Sequence, residues 1–175
     1  MTKLDFSLRP PLETDVWPYI GFLADPEVSL WLEDVCQGAV TYAQIYALLF
    51  GEKRQIRSIE VRGKFVGLTG LSEWDAADAT GRFFFVIGNK KYWNRGLGRA
   101  VLWATLKMSF GDLALRRVDS DFLDGNQVAK ALHEQIGFRV DGKIREDCWR
   151  NGKWCDRILV SLLRDEYAEL TKLLD

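Results

Sequence analysis

The sequence lacks the residues from which disulfide frameworks and zinc sites are built. Its 175 residues include three cysteines, Cys36, Cys148 and Cys155, and a single histidine. No two cysteines form a Cys-x-x-Cys pair, and an odd number argues against a disulfide framework. We therefore expect no metal site, and cysteines that behave as small, partly buried apolar residues.

Long apolar runs and an excess of one charge are also missing. No hydrophobic stretch is long enough to span a bilayer, and residues 1–5 lack the basic and apolar segments of a secretion signal. The 24 basic and 25 acidic side chains give a formal charge of −1. That balance predicts neither a nucleic-acid partner nor a membrane partner. We expect a cytoplasmic protein.

The composition is that of a folded domain. Hydrophobic residues make up 47% of the chain, and the absence of repeats and linkers predicts one domain over residues 1–175. Hydrophobic periodicity predicts the element order β-α-α-β-β-β-α-β-α-β-β. We expect a mixed α/β (α+β) fold in which helices flank a mostly antiparallel sheet.

Periodicity, caps and turn residues predict where each element lies. The first half has a strand at 4–9, helices at about 13–23 and 41–50, and strands at 56–61, 65–71 and 82–87. The second half has a long helix at about 96–112, a strand at 117–122, a helix at 126–135, and strands at 138–140, 143–150 and 153–163, with a short helix after 163. In the helix at 126–135 we expect Val128, Leu132 and Ile136 to form the buried stripe.

A glycine-rich turn opens the long helix. Arg95-Gly96-Leu97-Gly98-Arg99-Ala100 follows a strand that ends near Ile87. The first N–H groups of a helix have no internal partner, the helix dipole adds positive charge, and glycine lets a ligand approach the backbone. This pattern indicates a phosphate site, to which Arg95 and Arg99 add charge. Alternatively, the two glycines only permit close packing of the strand and the helix.

Two common nucleotide-binding motifs do not fit this turn. The dinucleotide fingerprint needs a third glycine where Val101 stands. The phosphate loop of nucleotide triphosphatases needs Gly-Lys-Ser/Thr, which the sequence does not contain.

The segment Tyr92–Ala100 resembles the pyrophosphate loop of the GNAT superfamily of N-acetyltransferases, whose pattern is Gln/Arg-x-x-Gly-x-Gly/Ala. Trp93 stands in the Gln/Arg position, as is usual in the branch of ribosomal-protein N-terminal (Rim-type) acetyltransferases. Further segments resemble this branch: Leu115–Val118, Asn126, Ile136–Phe138, Asp141–Glu146, Asn151–Trp154 and Asp156. The resemblance covers roughly residues 65–167.

This resemblance implies an acetyltransferase that uses acetyl-CoA as its donor. The glycine-rich loop would bind the pyrophosphate, the end of the preceding strand would pair with the pantetheine arm, and the start of the helix at 126 would contact the coenzyme. The coenzyme-binding residues implied in this way are Val86, Ile87, Gly88, Arg95, Gly96, Leu97, Gly98, Arg99, Ala100, Asn126 and Lys130.

Two residues are candidates for proton transfer. His133 is expected on the same helix face as Asn126, off the buried stripe, where many GNAT enzymes carry a tyrosine that protonates the departing thiolate. Glu73 follows the strand at 65–71 and is the candidate base for the amine. The alternatives are a surface or coenzyme-packing histidine and a solvated carboxylate.

Glu33 and Asp34 are the candidate substrate-binding residues. Trp31–Asp34 resembles the acidic segment of bacterial spermidine acetyltransferases, and paired carboxylates suit a cationic amine. Alternatively, the pair is a solvated flank of the next helix. We expect direct acetyl transfer to a primary amine: a polyamine, an amino sugar, an amino acid or a protein N-terminus. A non-catalytic acyl-CoA-binding or regulatory module stays open, because the usual tyrosine is missing.

The turn Asn151-Gly152 predicts the register of the last hairpin. In this register Cys148 faces Cys155 and Trp149 faces Trp154. The two cysteines are expected close enough for a disulfide, but a cytoplasmic setting favours free thiols. The tryptophan pair indicates either a homodimer interface or ordinary cross-strand stacking.

Overall fold

The computed structural model describes residues 5–32 and 38–173. Within these residues, seven strands form one sheet in the order β1-β2-β3-β4-β5-β7-β6. They are β1 (Phe6–Arg9), β2 (Gln55–Val61), β3 (Lys64–Asp75), β4 (Thr80–Ile87), β5 (Arg117–Leu123), β6 (Arg139–Arg150) and β7 (Lys153–Leu163). Neighbouring strands are antiparallel except β4 and β5, which run parallel. The predicted fold class is confirmed.

Six α-helices flank this sheet in the part of the chain that the structure describes. They are α1 (Val16–Leu23), α2 (Pro26–Ser29), α3 (Tyr42–Phe50), α4 (Leu97–Lys107), α5 (Gln127–Ile136) and α6 (Arg164–Lys172). A π-helical turn, Met108–Asp112, extends α4. None of the helices within the described ranges has the length and apolarity needed to cross a membrane.

The short helix α2 was not predicted. Periodicity predicted helices at about 13–23 and 41–50 and none between them. In the structure the Asp25 carboxylate accepts the Glu27 N–H at 3.0 Å, so it caps a new helix with Pro26 in its first turn. Proline is tolerated there because its missing N–H would have had no partner in the first turn.

Local caps define the start of α3 and both ends of α5. The Thr41 hydroxyl accepts the Gln44 N–H at 3.3 Å, and α3 begins at the next residue. Helix α5 ends at Gly137, whose φ of 98° lies in the left-handed region that favours glycine. Asn126 caps the start of α5, one residue before its first helical residue.

Different helices cover the two faces of the sheet. Helices α1 and α3 cover one face with a core that includes Leu49 and Val86. Helices α4 and α5 cover the other with a core that includes Phe83 and Leu106. Because consecutive strand residues point to opposite faces, Arg82 lies on the α1 face and Phe83 on the α4 face.

The predicted buried stripe of α5 is wrong at one position. Val128 is 74% exposed, whereas His133 is 3% exposed and Ile136 is fully buried. The inward residues include Leu132, His133 and Ile136, which share a face at helical spacing. The sequence pattern favoured an apolar valine over a histidine, and it missed that hydrogen bonds make the buried histidine tolerable.

The register of the β6–β7 hairpin is confirmed. Cys148 pairs with Cys155, and Trp149 pairs with Trp154. Both cysteine side chains are buried, with 3% of Cys148 and 2% of Cys155 exposed. The indole rings stack edge to face with centroids 5.4 Å apart, so cross-strand stacking is present. The homodimer interface stays a prediction.

Candidate functional site

Strands β4 and β5 separate part-way along their length. Their ladder runs from the Thr80–Arg117 pair to the Arg82–Asp119 pair. Both strands then continue, to Ile87 and Leu123. We call the diverging segments, 83–87 and 120–123, the fork. A parallel pair that separates exposes main-chain edges to which an extended ligand can bond.

The edge of β4 that faces the fork, which we call the fork edge, carries the main-chain groups of every second residue of the strand. The carbonyl of Phe83 lies 3.4 Å from the Ser120 hydroxyl on β5. The carbonyl of Ile87 accepts the Trp93 indole N–H at 2.6 Å. Since hydrogen-bonding direction alternates along a strand, the N–H and carbonyl of Phe85 point into the fork as well.

Val86 and Gly88 were predicted to bond the pantetheine arm, but their main-chain groups face β3. The Gly88 N–H donates to the Val66 carbonyl at 2.9 Å. The Val86 carbonyl points at Gly67, where an added Cβ would lie 1.9 Å from the oxygen. The alternation of the strand therefore assigns the fork edge to Phe85 and Ile87, and the sequence missed Phe85.

The N-terminus of helix α4 lies at the end of the loop that follows β4. The first main-chain bond within the helix is donated by Ala100 to the Gly96 carbonyl, at 3.1 Å. The N–H groups of Leu97, Gly98 and Arg99 precede it and have no helical acceptor. Gly96 supplies no side-chain cap, whereas Thr41 and Asn126 cap their helices. These three N–H groups are therefore suited to bind an anion.

The structure explains glycine at position 96 and glycine at position 98 in different ways. Gly96 has a φ of 79°, in the left-handed region, and open space around the position of an added Cβ. Glycine is therefore favoured there by the backbone conformation and not by packing. An added Cβ on Gly98 would lie 3.5 Å from Phe85, an ordinary contact. Packing does not require glycine at 98. The alternative that these glycines only permit close packing is therefore not supported.

Trp93, in the position where the family pattern has Gln or Arg, ties the loop to the strand. Its indole bond to the Ile87 carbonyl holds the loop against the end of β4. Arg95 and Arg99 are exposed on either side of Gly96 and Gly98. This arrangement places two cations beside the free N–H groups.

Helix α5 begins shortly after β5, the second strand of the fork. The Asn126 side-chain oxygen accepts the Ala129 N–H at 3.1 Å, which leaves its amide N–H groups directed elsewhere. Lys130 is exposed one turn later and lies 4.0 Å from Glu134. A ligand in the fork would therefore have the starts of α4 and α5 on its two sides.

Glu73 lies at the end of β3, beside a depression of about 450 Å³ at the closed end of the fork. It pairs with Arg82 on β4, with Oε2 3.5 Å from Nε. Its side chain is 76% exposed. Asp119 and Glu52 also line the depression. This side of the sheet faces α1, opposite the face of His133.

A row of ion pairs crosses the fork on the same face. Arg82 Nη1 donates to Asp121 at 3.0 Å, and Arg157 of β7 binds the other oxygen of that carboxylate. Arg157 Nε donates to Asp147 of β6 at 2.7 Å. The sequence did not predict this row, because its members lie on four separate strands.

The side chain of His133 extends from α5 into a buried site between β5 and the residue that precedes β6. Its Nδ1 lies 2.7 Å from the Ala129 carbonyl, and its Nε2 lies 3.0 Å from the Ser120 hydroxyl. The ring stacks on Phe122 and meets Phe138 edge-on. Burial lowers the pKa of His133 below the usual histidine value, although its bond to Ala129 opposes that shift.

The predicted substrate pair, Glu33 and Asp34, lies outside the described residues, as does Cys36. The segment before them is described as far as Leu32. Arg150 binds it there, donating to the carbonyls of Leu30 and Leu32 at 3.1 and 2.9 Å.

Comparison with known proteins decides the family. Residues 5–139 match the acetyltransferase (GNAT) domain. The chain belongs to the GNAT acetyltransferase family. The expected family is thereby confirmed, and members of the GNAT acetyltransferase family use acetyl-CoA as the acetyl donor.

Individual GNAT relatives are distant. YokL, a SPbeta prophage-derived N-acetyltransferase of Bacillus subtilis, is 25% identical over 118 residues, which cover 66% of each chain. The match to YdaF of the same organism covers 57% of that relative. The chain therefore spans two thirds or less of the length of these two proteins.

Two relatives align over more of their length. The spermidine N(1)-acetyltransferase of Escherichia coli K12 is 24% identical over 163 residues, covering 90% of this chain and 86% of the relative. The Vibrio cholerae spermidine N-acetyltransferase, solved in complex with CoA and spermine, superposes with a TM-score of 0.83. It is 18% identical and covers 93% of this chain and 98% of its own, so it shows the fold alone.

Gly88 has a packing role that can be tested. A Cβ added there would lie 2.2 Å from Cγ of Phe22 on α1. We expect Gly88→Ala to lower the free energy of unfolding by about 2 kcal/mol, since overpacking forces the ring or the strand to move. Gly21→Ala is the control, because nothing lies within 4 Å of its added Cβ. Equal urea midpoints for the two variants would contradict this role.

Proposed function

We propose that this chain transfers the acetyl group of acetyl-CoA directly to a primary amine, with a polyamine as the first acceptor to test. The observation that carries the proposal is the uncapped N-terminus of α4 at the mouth of the fork. An anion-binding helix end beside an open strand edge suits a ligand with a pyrophosphate and an extended amide arm.

The residues present fit the coenzyme. The N–H groups of Leu97, Gly98 and Arg99 would bind the pyrophosphate, with Arg95 adding charge. The fork edge of Phe85 and Ile87 would bond the amides of the pantetheine arm. Lys130 and the amide N–H groups of Asn126 would contact the coenzyme from the start of α5.

Acetyl transfer needs an acceptor amine without its extra proton. An alkylammonium group has a pKa of about 10, so a base must remove a proton before the nitrogen can attack the thioester carbon. The new C–N bond forms and the C–S bond breaks. The nitrogen loses its second proton, and the departing thiolate takes up a proton to leave as free CoA. Glu73 is our candidate base, since it lies at the rim of the depression on the face opposite the coenzyme loop.

Acidic residues outnumber basic ones by one around the depression at the closed end of the fork, which favours a cationic acceptor. The depression is lined by Glu52, Glu73, Asp75 and Asp119 together with Lys53, Arg54 and Arg82. Relatives that act on spermidine, by their names, support a polyamine. A peptide N-terminus is the other acceptor of the same chemistry.

A thiol-release assay tests the proposal. We expect acetyl-CoA to release free CoA in the presence of spermidine or spermine, and the amine product to gain one acetyl group by mass spectrometry. The panel should include an amino sugar, an amino acid and peptides with free N-termini. Absence of CoA binding in a calorimetric titration would contradict the proposal.

A non-catalytic acyl-CoA-binding module is the second candidate. The enclosed His133 favours it, because the place of the usual tyrosine holds a side chain whose two ring nitrogens are already bonded. Tight CoA binding without thiol release on any amine of the panel would support this candidate over the enzyme.

Glu73 gives a test of acceptor binding. We expect Glu73→Gln to raise the KM for spermidine about fivefold, since an exposed charge pair contributes about 1 kcal/mol. It should also lower kcat, because an amide cannot take the proton from the amine. The KM for acetyl-CoA should not change. Glu169→Gln, an exposed position on α6, is the matched control. An unchanged KM for spermidine would remove Glu73 from the acceptor site.

A further inference from the structure

His133 joins two of the elements that border the fork. It lies on α5, whose first turn begins at Asn126, and its Nε2 is 3.0 Å from the hydroxyl of Ser120 on β5. Ser120 follows Asp119, the last residue of β5 in the ladder with β4. The histidine therefore connects the coenzyme-facing helix to the point at which the fork begins.

The hydrogen bonds define the proton positions on the ring. The Ala129 carbonyl can only accept, so Nδ1, 2.7 Å away, carries a proton. In the neutral ring Nε2 is then an acceptor, and Ser120 donates its hydroxyl proton to it. The Phe83 carbonyl is the more distant alternative acceptor for that proton, at 3.4 Å.

This arrangement does not suit a proton donor to a thiolate. The protonated nitrogen faces a main-chain carbonyl within its own helix, and the other nitrogen has no proton to give. The ring is 3% exposed, between Phe122 and Phe138. Among ionisable groups, the carboxylate of Asp121 on β5 favours the charged ring, and burial opposes it more strongly.

We propose that His133 is a positioning residue, whose neutral ring ties α5 through Ser120 to the start of the fork and so fixes where Asn126 and Lys130 meet the coenzyme. This inference rests on the proposed function, because it assigns the fork to acetyl-CoA. Its consequence is that His133 acts on coenzyme affinity and not on the proton chemistry of the acetyl transfer.

Two substitutions separate positioning from acid catalysis. Gln has an amide group near the position of Nε2 and does not titrate, so we expect His133→Gln to keep CoA affinity and kcat within about twofold of the wild type. His133→Leu fills the site without an acceptor and leaves the Ser120 hydroxyl only the more distant Phe83 carbonyl, at 3.4 Å. For it we expect the Kd for CoA to rise about tenfold while kcat at saturation stays within about twofold.

Ser120→Ala removes the same hydrogen bond, between Ser120 and His133, from its other partner. It removes the donor and keeps the ring, so its Kd for CoA should rise as for His133→Leu. A loss of kcat of a hundredfold or more in both His133 variants, with the Kd for CoA unchanged, would overturn the proposal and make the imidazole the acid.

A spectroscopic measurement tests the proposal on the wild-type protein. The chain contains one histidine, so ¹⁵N resonances of its imidazole need no assignment. We expect a protonated Nδ1 and an unprotonated Nε2 from pH 8 to pH 6, with or without CoA. A protonated Nε2, or titration in that range, would overturn it. Failure of the wild type to bind CoA would instead count against the proposed function.

Discussion

Gly98→Asp should lower the affinity for CoA about a hundredfold while leaving the fold as stable as before. The new carboxylate would stand among the free N–H groups of Leu97, Gly98 and Arg99, where the pyrophosphate is proposed to bind. Like charges within a few ångströms at a protein surface cost about 2–3 kcal/mol, and about 1.4 kcal/mol is a tenfold change in Kd. Calorimetric titration with CoA measures the loss.

The same substitution should not lower the melting temperature. A carboxylate in the first turn of a helix is favourable. In addition, aspartate loses less backbone conformational entropy on folding than glycine does. An added Cβ at 98 makes only an ordinary contact with Phe85. Opposite effects on binding and stability would distinguish a ligand site from a packing site.

Gly111→Asp is the matched control. It adds the same charge at an exposed position with open space around the added Cβ, in the π-helical turn at the far end of α4. Its affinity for CoA should equal that of the wild type. If Gly98→Asp bound CoA as tightly as this control, the pyrophosphate would lie elsewhere.

Asp15→Ala should lower the free energy of unfolding by about 3 kcal/mol. Asp15 is 3% exposed and anchors the start of α1 to the first two strands. Its oxygens accept from both terminal nitrogens of Arg9 and from the Ser58 hydroxyl, each at 2.7 Å, and from the Leu12 N–H at 2.8 Å. Removal of one partner from a buried ion pair leaves the other charge and the donors unsatisfied.

The contribution of Asp15 should disappear in acid. Burial by itself raises the pKa of Asp15, but the bonds from Arg9, Leu12 and Ser58 outweigh it and hold the pKa below the usual aspartate value. A carboxylate with a lowered pKa in the folded state stabilises the protein above its unfolded pKa of about 3.9. That stabilisation is lost as the pH falls through the lower folded value.

Urea unfolding at several pH values measures both effects. The free energy of unfolding of the wild type should exceed that of Asp15→Ala by a constant amount from pH 5 to pH 7. This difference should shrink only below about pH 4. Asp112→Ala, an exposed aspartate at the end of the π-helical turn, should leave stability within about 0.5 kcal/mol. A constant difference between wild type and Asp15→Ala down to pH 2 would contradict the ion-pair account.

Local chemistry made much of the fold predictable. Thr41, Gly137 and Asn151-Gly152 act through contacts with near neighbours in sequence, so their caps and turns follow from a few residues. The glycine-rich loop was predictable for the same reason, since an uncapped helix start depends on consecutive residues.

Long-range contacts account for what the sequence did not predict. Nothing local to Asp121 indicates that Arg82 and Arg157 bind its two oxygens, because the three residues lie on separate strands. The burial of His133 depends on Ser120, thirteen positions away. The roles of Val86 and Gly88 depended on which edge of β4 is free, which is set by pairing with β3.

The central claim is that acetyl-CoA lies in the fork with its pyrophosphate on the start of α4. A ¹H–¹⁵N correlation spectrum recorded during a CoA titration tests it most directly. We predict the largest amide shifts at Leu97, Gly98 and Arg99, with shifts at Phe85 and Ile87 along the fork edge. Saturable CoA binding that leaves these five amides unmoved while others shift would contradict the account.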